Sequence, residues 1–429
     1  MTESTPACFE HSFPEEYLDY DALKVIDRLE RYGHVAYMVG GCVRDLLLGI
    51  RPKDYDLATS ASPRQAKKLF RNSRIIGRRF RLVHVTFSGK IIELSTFRRS
   101  AADEEEFNDE DDILIKSDNT FGTPREDAMR RDFTINALFY SPSRQMIIDY
   151  VGGIDDLRER RLRTIGEAAI RFREDPVRMI RAIKLAIRLN LTIDDESSKA
   201  ILEHHKELIR SAPPRILEEL YKILKSGAAG GIFRSFYETG VLETILPAVH
   251  ENIKSGLLEP ELLFSYLDGL DKADEGSFKL SNPVLLGGML LALFDTPFSE
   301  PEEDISELPT PSEPSINAVI RACPALQSVA RRERERLRQI LLAQRRFFKN
   351  TRTAKRSSPS TLVKRPYFCE AYQLFAIASG ATGRGTEDLE RWQKRFQNEP
   401  LPDNSEHENR RPRRRRNTRR RPPRSHGPH

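Results

Sequence analysis

The stretch GGCVRDLLLGIRPKDYDLATS, residues 40–60, carries more information about the fold than any other part of this chain. The apolar run HVAYMVG precedes it and overlaps its first glycine, and predicts a strand. The two glycines open VRDLLLG, which has helical spacing, and YDLATS predicts a second strand. This succession of strand, turn, helix and strand indicates an α/β pattern at the start of the chain.

Asp54 and Asp56 stand two residues apart at the start of the second predicted strand. Because side chains alternate along a strand, both carboxylates are expected on one face. Paired carboxylates suit the binding of two Mg²⁺ ions. Upstream, Gly40 and Gly41 let the backbone approach a phosphate closely, and Arg44 adds a charged contact for a triphosphate. An isolated DxD would more often be a solvated turn, so the whole assembly carries this interpretation.

Strand-like and helical runs alternate over about the first 100 residues, whereas helical patterns dominate from about residue 154. The fold class is therefore α+β. The chain has 429 residues and a net charge of +6. Its four cysteines are scattered without a CxxC pair, which predicts no disulfide framework. No window approaches the roughly 18 apolar residues of a membrane span, so a cytoplasmic location is expected.

Composition divides the chain further. The acidic run at residues 102–112 predicts a solvated loop, because so many like charges repel each other. The predicted regions are a flexible leader at 1–19, a head at 20–150, a helical neck at 151–215, a helical body at 216–296, a Pro/Ser/Glu linker at 297–315, a basic helical region at 316–398 and a disordered arginine-rich tail at 399–429.

Three further motifs follow residues 40–60, namely RRDFTINALFY, YVGGIDDL and REDPVRMIRAIKLA. Together the four motifs resemble the class II tRNA nucleotidyltransferase and bacterial poly(A) polymerase family, within the DNA polymerase β superfamily. The resemblance covers roughly residues 20–250. It implies a nucleotidyltransferase head followed by all-α neck, body and leg regions. It also implies Mg²⁺ as cofactor, a nucleoside triphosphate as substrate and addition of nucleotides to RNA 3′ ends.

The resemblance carries site residues onto matching positions. Asp54 and Asp56 match the metal-binding carboxylates. The superfamily uses a third acidic residue, for which Glu93 on the strand IIELSTF and Asp132 in RRDFTIN are both candidates. Asp132 is favoured because it lies in a shared motif. Either carboxylate could instead form a structural ion pair, for instance with Arg98 or Arg131. The residues implied to contact nucleotide are Gly40, Gly41, Arg44, Arg131, Asp175, Arg178 and Arg181.

The segment FREDPVRMIRAIKLAIRL, residues 172–189, predicts one helix that carries Asp175, Arg178 and Arg181 on one side. The residues expected to be buried on its opposite side are Met179, Ile180, Ile183 and Ile187. In this family such a stripe serves as a protein template. A carboxylate only accepts and a guanidinium only donates, which matches the edge of adenine or cytosine. Outside the family, the stripe would be an ordinary surface ladder of ion pairs.

The segment IIGRRFRLVHV, residues 75–85, resembles bacterial poly(A) polymerases more than CCA-adding enzymes. Arg78, Arg79 and Arg81 are candidate RNA-binding residues, or alternatively a basic edge that deters strand pairing. An arginine-rich tail suits a sequence-tolerant grip on RNA and offers a surface for RNA-decay proteins. The expected activity is therefore addition of AMP from ATP, with a CCA-adding or A-adding tRNA nucleotidyltransferase as the alternative.

Overall fold

The computed structural model of the chain describes residues 5–77, 81–99, 121–274, 280–294, 313–348 and 359–398. The strands are β1 Ala7–Glu10, β2 Ala36–Val39, β3 Asp56–Thr59, β4 Ser73–Ile76, β5 Leu82–Phe87, β6 Lys90–Thr96, β7 Leu138–Ser141, β8 Met146–Asp149, β9 Arg161–Leu162 and β10 Thr192–Ile193.

The helices of the amino-terminal half are α1 Tyr20–Arg31, α2 Gly41–Leu47, α3 Pro63–Leu69, α4 Pro124–Met129, α5 Gly153–Arg158, α6 Ala168–Glu174, α7 Val177–Leu189, α8 Asp195–His204 and α9 Pro213–Leu224. Those that follow are α10 Ala229–Glu238, α11 Val241–Ile245, α12 Pro247–Lys254, α13 Pro260–Asp274, α14 Asn282–Leu291, α15 Glu313–Ala322, α16 Pro324–Gln327, α17 Arg331–Ala343, α18 Pro359–Val363, α19 Phe368–Thr382 and α20 Thr386–Asn398.

The head is built on an eight-stranded sheet with the order β1-β8-β7-β2-β3-β6-β5-β4. Strands β3 and β6 pair in parallel, and the other neighbours are antiparallel. One hydrophobic cluster, which includes Val25, Leu57 and Ile92, joins α1 to the sheet, and a second includes Phe97 and Phe139. The alternation of strands and helices expected over about the first 100 residues is confirmed from β2 to β6. The leader expected to be flexible at residues 1–19 instead contains β1, which pairs with β8.

Local signals explain where the head helices begin. The Asp19 carboxylate accepts hydrogen bonds from the backbone N–H groups of Asp21 and Ala22 and so caps α1. Ser62 and Gln65 form a capping box at the start of α3, with Pro63 in the first turn. Both helices therefore start at residues that the sequence pattern marks.

The expectation that Asp54 and Asp56 share one strand is wrong. Strand β3 begins at Asp56, and Asp54 lies in a bend before it. Strand β2 pairs antiparallel with β3, so that Met38 lies opposite Leu57. The end of β2, where the Gly40 turn follows, therefore lies next to the start of β3. Both are at the same edge of the sheet, which here means the edge formed by the ends of the strands and not an outer strand.

The neck contains two helices instead of the single helix expected. Helix α6 ends at Glu174 and α7 begins at Val177. Asp175 between them has φ −144° and ψ 87°, outside the helical region, because the ring of Pro176 disfavours helix at the preceding residue. Of the residues expected to be buried, three are fully buried, but Ile187 is 42% exposed.

Beyond the head, one continuous hydrophobic core runs from Phe133 to Trp392 and joins the helical regions. The only strands of this part of the described chain are β9 and β10, which form a short parallel pair. The acidic run 102–112, most of the linker 297–315 and the tail 399–429 lie outside the described residues. No helix in the ranges that the structure describes is long and apolar enough to cross a membrane.

The motif YVGGIDDL joins the head to the helical part. Gly153 starts α5 directly against the carbonyl of Thr134, and the buried Asp156 carboxylate accepts from the Thr134 hydroxyl at 2.7 Å. Arg161 and Arg163 also donate to Asp156, at 2.7 and 2.9 Å. Although burial alone would raise it, these contacts hold the pKa of Asp156 below its usual value.

Gly153→Ala is expected to lower the free energy of unfolding by about 1–3 kcal/mol, because overpacking strains a tight contact. A Cβ at this position would lie 2.3 Å from the Thr134 carbonyl oxygen. The control is Gly380→Ala in α19, where a Cβ would meet no heavy atom within 4 Å. It should be neutral or stabilise by up to about 1 kcal/mol. Urea unfolding measures both, and an unchanged midpoint for Gly153→Ala would contradict the close approach.

Candidate active site

The parallel pairing of β3 with β6 sets Asp56 directly opposite Glu93. Desolvation and the charges of Glu93 and Asp54, against a lowering by Arg131, together raise the pKa of Asp56 to about 6. Asp54 is therefore close enough to act on Asp56 although it lies outside the strand. Three acidic side chains share this edge of the sheet.

Gly40 forms the turn next to these carboxylates. Its φ is +75°, a backbone conformation that glycine adopts without strain. A Cβ at Gly40 would lie 2.9 Å from Nη1 of Arg131, so the turn and this guanidinium are in close contact. Two nitrogens of Arg131 donate to Asp127 Oδ2, and Nη1 donates to the carbonyl oxygen of Asn136 at 3.1 Å. Arg131 is thus held in place beside Asp56.

Arg44 is a buried residue of α2. Its Nε and Nη2 donate to Asp45 Oδ1 at 2.9 and 2.6 Å, and its Nη1 donates to Asn136 Oδ1 at 2.6 Å. The Asn136 side-chain amide in turn donates to Asp132 Oδ1 at 3.1 Å. Asn136 therefore connects three of the expected site residues, counting the contact of its carbonyl with Arg131.

Sequence reasoning missed Asn136 and Asp127. Asn136 was within reach, because it belongs to the motif RRDFTIN and is a polar residue directly before the apolar run ALF. Asp127 lies in no quoted motif, and its role depends on a fold that buries it fully beside Arg130 and Arg131. The alternative in which Glu93 or Asp132 pairs with Arg131 is not what the structure shows, because Arg131 pairs with Asp127.

Asp132 faces the neck. Its Oδ1 accepts from the backbone N–H of Phe133 at 2.9 Å as well as from Asn136, and its Oδ2 lies 3.8 Å from Nη1 of Arg181. Glu93 is therefore the carboxylate that lies opposite Asp56, and the favoured Asp132 is not.

The three neck residues expected to read the base all have protein partners. Both oxygens of Asp175 accept from Arg215 on α9, each at 2.9 Å. Although burial alone would raise it, this pairing holds the pKa of Asp175 below its usual value. Arg178 donates from Nη1 to the Arg171 carbonyl at 3.0 Å and to Glu174 at 3.2 Å.

Arg181 donates to the buried Glu219 of α9 at 3.2 Å, and Lys184 pairs with the same carboxylate. Although burial alone would raise it, Lys184 and Arg181 lower the pKa of Glu219 to about 2. Helix α9 therefore contacts the neck stripe twice, through Arg215 and through Glu219.

Of the three predicted RNA-binding arginines, one is among the described residues. Arg81 is exposed just before β5, on the edge of the sheet beside β4. Arg78 and Arg79 lie outside the described residues.

The carboxylates of this edge suit a hard divalent cation. Across the described ranges, no group of three or more His, Cys, Asp or Glu side chains is arranged as a metal site. Mg²⁺ does not need such a group, because it is usually bound through one or two carboxylates together with substrate phosphates and water. The repulsion that raises the pKa of Asp56 is what a cation would relieve, so Asp54, Asp56 and Glu93 fit this group.

Three family models match the chain. "Poly A polymerase head domain" matches residues 36–163, and "Probable RNA and SrmB- binding site of polymerase A" matches residues 190–253. "Polymerase A arginine-rich C-terminus" matches residues 311–426.

Known proteins resemble the chain in sequence, and solved structures resemble it in fold. Poly(A) polymerase I of Haemophilus influenzae is 33% identical over 394 residues, which cover 88% of this chain and 84% of that protein. A CCA-adding enzyme of Lactobacillus gasseri is 34% identical, over 57% of this chain and 59% of that enzyme. The solved CCA-adding enzyme of Bacillus stearothermophilus in complex with CTP has a TM-score of 0.63 and 24% identity, covering 88% of this chain and 82% of its own. This last likeness confirms the expected fold.

Asp56→Asn is expected to stabilise the metal-free protein by about 1 kcal/mol at pH 8, after allowance for solvent screening. A carboxyl whose folded pKa is raised destabilises the fold as pH rises through that value, here about 6. The gain should therefore shrink as pH falls below 6. Thermal unfolding in a chelator measures it. The control Asp27→Asn removes an exposed helical charge paired with Arg31 and should not gain stability. Equal effects of both variants would contradict the crowding of carboxylates.

Proposed function

The chain belongs to the poly(A) polymerase family, and on that premise we propose how its residues divide the work of adding AMP to RNA. It is a template-independent polynucleotide adenylyltransferase that uses ATP. The observation that carries the assignment is the edge of the sheet where Asp56 faces Glu93 beside the Gly40 turn.

Asp54 and Asp56 would hold Mg²⁺ at this edge. When bound, the metal activates the RNA 3′-hydroxyl and neutralises the leaving pyrophosphate. Metal binding needs both carboxylates ionised, and Asp56 with a pKa of about 6 in the metal-free protein is mostly ionised at neutral pH.

Glu93 is our candidate for the third carboxylate. Its strand places it opposite Asp56 at the sheet edge, whereas Asp132 is engaged by Asn136 and Arg181 at the junction with the neck. Asp132 is assigned a positioning role, because its contacts tie the head to α7 and not to the metal-binding edge. This reverses the order that the shared motif favoured.

The triphosphate would lie against the turn at Gly40 and Gly41, which the guanidinium groups of Arg131 and Arg44 approach closely. Arg44 and Arg131 are its nearest cations in this proposal, and each is already fixed by a carboxylate, Asp45 or Asp127. Such anchoring means that little side-chain entropy is lost when an anion binds. Helix α2 has only seven residues, so these two cations are expected to contribute more than its dipole.

Base selection would fall to Asp175 and Arg178. A carboxylate has about four lone-pair sites, so the bidentate pairing with Arg215 leaves acceptor capacity on Asp175. Arg215 also fixes the orientation of that carboxylate before nucleotide arrives. Discrimination against guanine and uracil would follow, because their edges would leave a buried polar group unpaired. Arg181 is expected to act from the next turn of α7.

RNA would be held by basic residues away from the metal. Arg81 is exposed at the sheet edge, and Arg78 and Arg79 are its neighbours in sequence. The arginine-rich carboxy-terminal region would add contacts to RNA phosphates, and the release of counterions from those phosphates favours binding. Binding of RNA-decay proteins through this region and a cytoplasmic location both stay predictions.

A CCA-adding activity is the second candidate, because solved CCA-adding enzymes share the fold. The poly(A) polymerase of Haemophilus influenzae matches across 84% of its length, whereas the CCA-adding relative matches across 59%. The match at residues 311–426 to an arginine-rich poly(A) polymerase terminus favours tailing further.

Purified protein with Mg²⁺, an RNA primer and one nucleoside triphosphate at a time tests this function. We expect long tails from ATP alone, because the site reads the nucleotide and needs no template. Gel electrophoresis of labelled primer measures the products. Addition of C, C and A to a tRNA lacking these residues, followed by arrest, would favour the second candidate, and RNA binding without incorporation would exclude both.

Substitutions separate the carboxylates in the same assay. Asp54→Ala, Asp56→Ala and Glu93→Gln should each lower AMP incorporation by at least about 100-fold, because each removes a charge from the metal-binding edge. Asp132→Asn keeps the shape and an oxygen acceptor, and should lose less. RNA binding should survive in all four, measured by gel shift. Full activity of Glu93→Gln together with an inactive Asp132→Asn would restore the motif-based assignment.

A further inference from the structure

Four side chains form one row across the exposed face of the sheet and end at the metal-binding edge. In the strand register, Arg74 of β4 lies opposite His84 of β5, His84 opposite Glu93 of β6, and Glu93 opposite Asp56 of β3. Residues in such a row share a face, because register partners project from the same side of a sheet. The row therefore runs from the outer strand β4 across β5 and β6 to Asp56 of β3.

His84 lies between Arg74 and Glu93 in this row, and no role explains it so far. Its Nε2 lies 3.4 Å from Oε1 of Glu93. This nitrogen is buried and makes no hydrogen bond in the structure. A buried polar atom without a partner is rare enough to need an explanation. The Glu93 carboxylate is the acceptor next to it, within a small side-chain adjustment of a hydrogen bond.

The side chain of His84 is packed more closely than that of Glu93. Val83 and Val85 on either side are fully buried in the head core, which orients the imidazole toward the opposite face. The His84 side chain is 22% exposed, whereas that of Glu93 is 50% exposed. A half-exposed glutamate keeps several rotamers open, so a fixed hydrogen-bond donor can hold its carboxylate in one of them.

We propose that His84 is a positioning residue that holds the Glu93 carboxylate in the row, facing Asp56. This inference rests on the proposed role of Glu93 as third carboxylate. An imidazole suits the task, because a rigid ring presents one N–H at a fixed place to a carboxylate oxygen. Outer contacts of this kind orient carboxylates that bind metals and strongly affect both metal affinity and activity.

Two substitutions at His84 distinguish the hydrogen bond that its N–H can donate from the volume that its side chain fills. His84→Leu fills similar volume without a donor, and His84→Gln keeps an amide N–H that can reach the same oxygen. Thr86→Val is the matched control, because Thr86 lies one row further along β5, on the same face, opposite Ile91. Each full-length variant is assayed for kcat and KM with ATP and a fixed RNA primer. Each is also titrated with Mn²⁺ alone, as the probe ion, by electron paramagnetic resonance.

His84→Leu should lower kcat by about tenfold and weaken Mn²⁺ binding by a similar factor, with little change in KM for ATP. His84→Gln should recover most of both, and Thr86→Val should match the original protein. Equal losses in His84→Leu and His84→Gln, or unchanged Mn²⁺ affinity in His84→Leu, would overturn the proposal. Circular dichroism confirms that the variants fold.

The double variant His84→Leu with Glu93→Gln keeps this test separate from the proposed function. If His84 acts only through Glu93, adding His84→Leu to Glu93→Gln should cause no further loss of kcat. Additive losses would show that His84 acts independently, against the proposal. A fully active Glu93→Gln would instead refute the role of Glu93 on which the proposal rests.

Discussion

Parallel pairing of β3 with β6 brings two carboxylates, Asp56 and Glu93, side by side, and the chemistry of the head depends on this contact. Backbone hydrogen bonds of the sheet hold like charges close together although they repel each other. The repulsion, together with desolvation, raises the pKa of Asp56 to about 6. A divalent cation would relieve the repulsion, which is why we assign metal binding to this edge.

A second network connects this edge to the helical part of the chain. Asn136 contacts Arg44 and Asp132 through its side chain and Arg131 through its carbonyl. Arg171 of α6 donates to the carbonyl oxygens of Arg130 and Arg131 at 2.7 and 2.8 Å. The cations assigned to the triphosphate and the helices assigned to the base are therefore parts of one bonded unit. Such a unit can position both ends of a nucleotide without a nucleic-acid template.

Most of the secondary structure of the head was predictable, because periodicity and capping residues act locally. The errors arose where a local pattern was read across a break. Pro176 fits the first turn of a helix, and the same residue excludes Asp175 from the helix before it. Ile187 has helical spacing with buried residues and yet is exposed, because burial depends on which elements pack against α7. Asp54 precedes the strand by two residues and still acts on Asp56.

By itself the sequence determined the motif order, the glycine turn, the carboxylates of residues 54 and 56 and the mixed Asp/Arg stripe, because these are properties of neighbouring residues. Only the tertiary structure decided which distant groups meet. Glu93 reaches Asp56 through strand register, and Arg215 reaches Asp175 across 40 residues through the packing of α9 on the neck. No local pattern encodes register or helix packing, since both are fixed by the burial of whole faces. The choice between Glu93 and Asp132 turned on that difference.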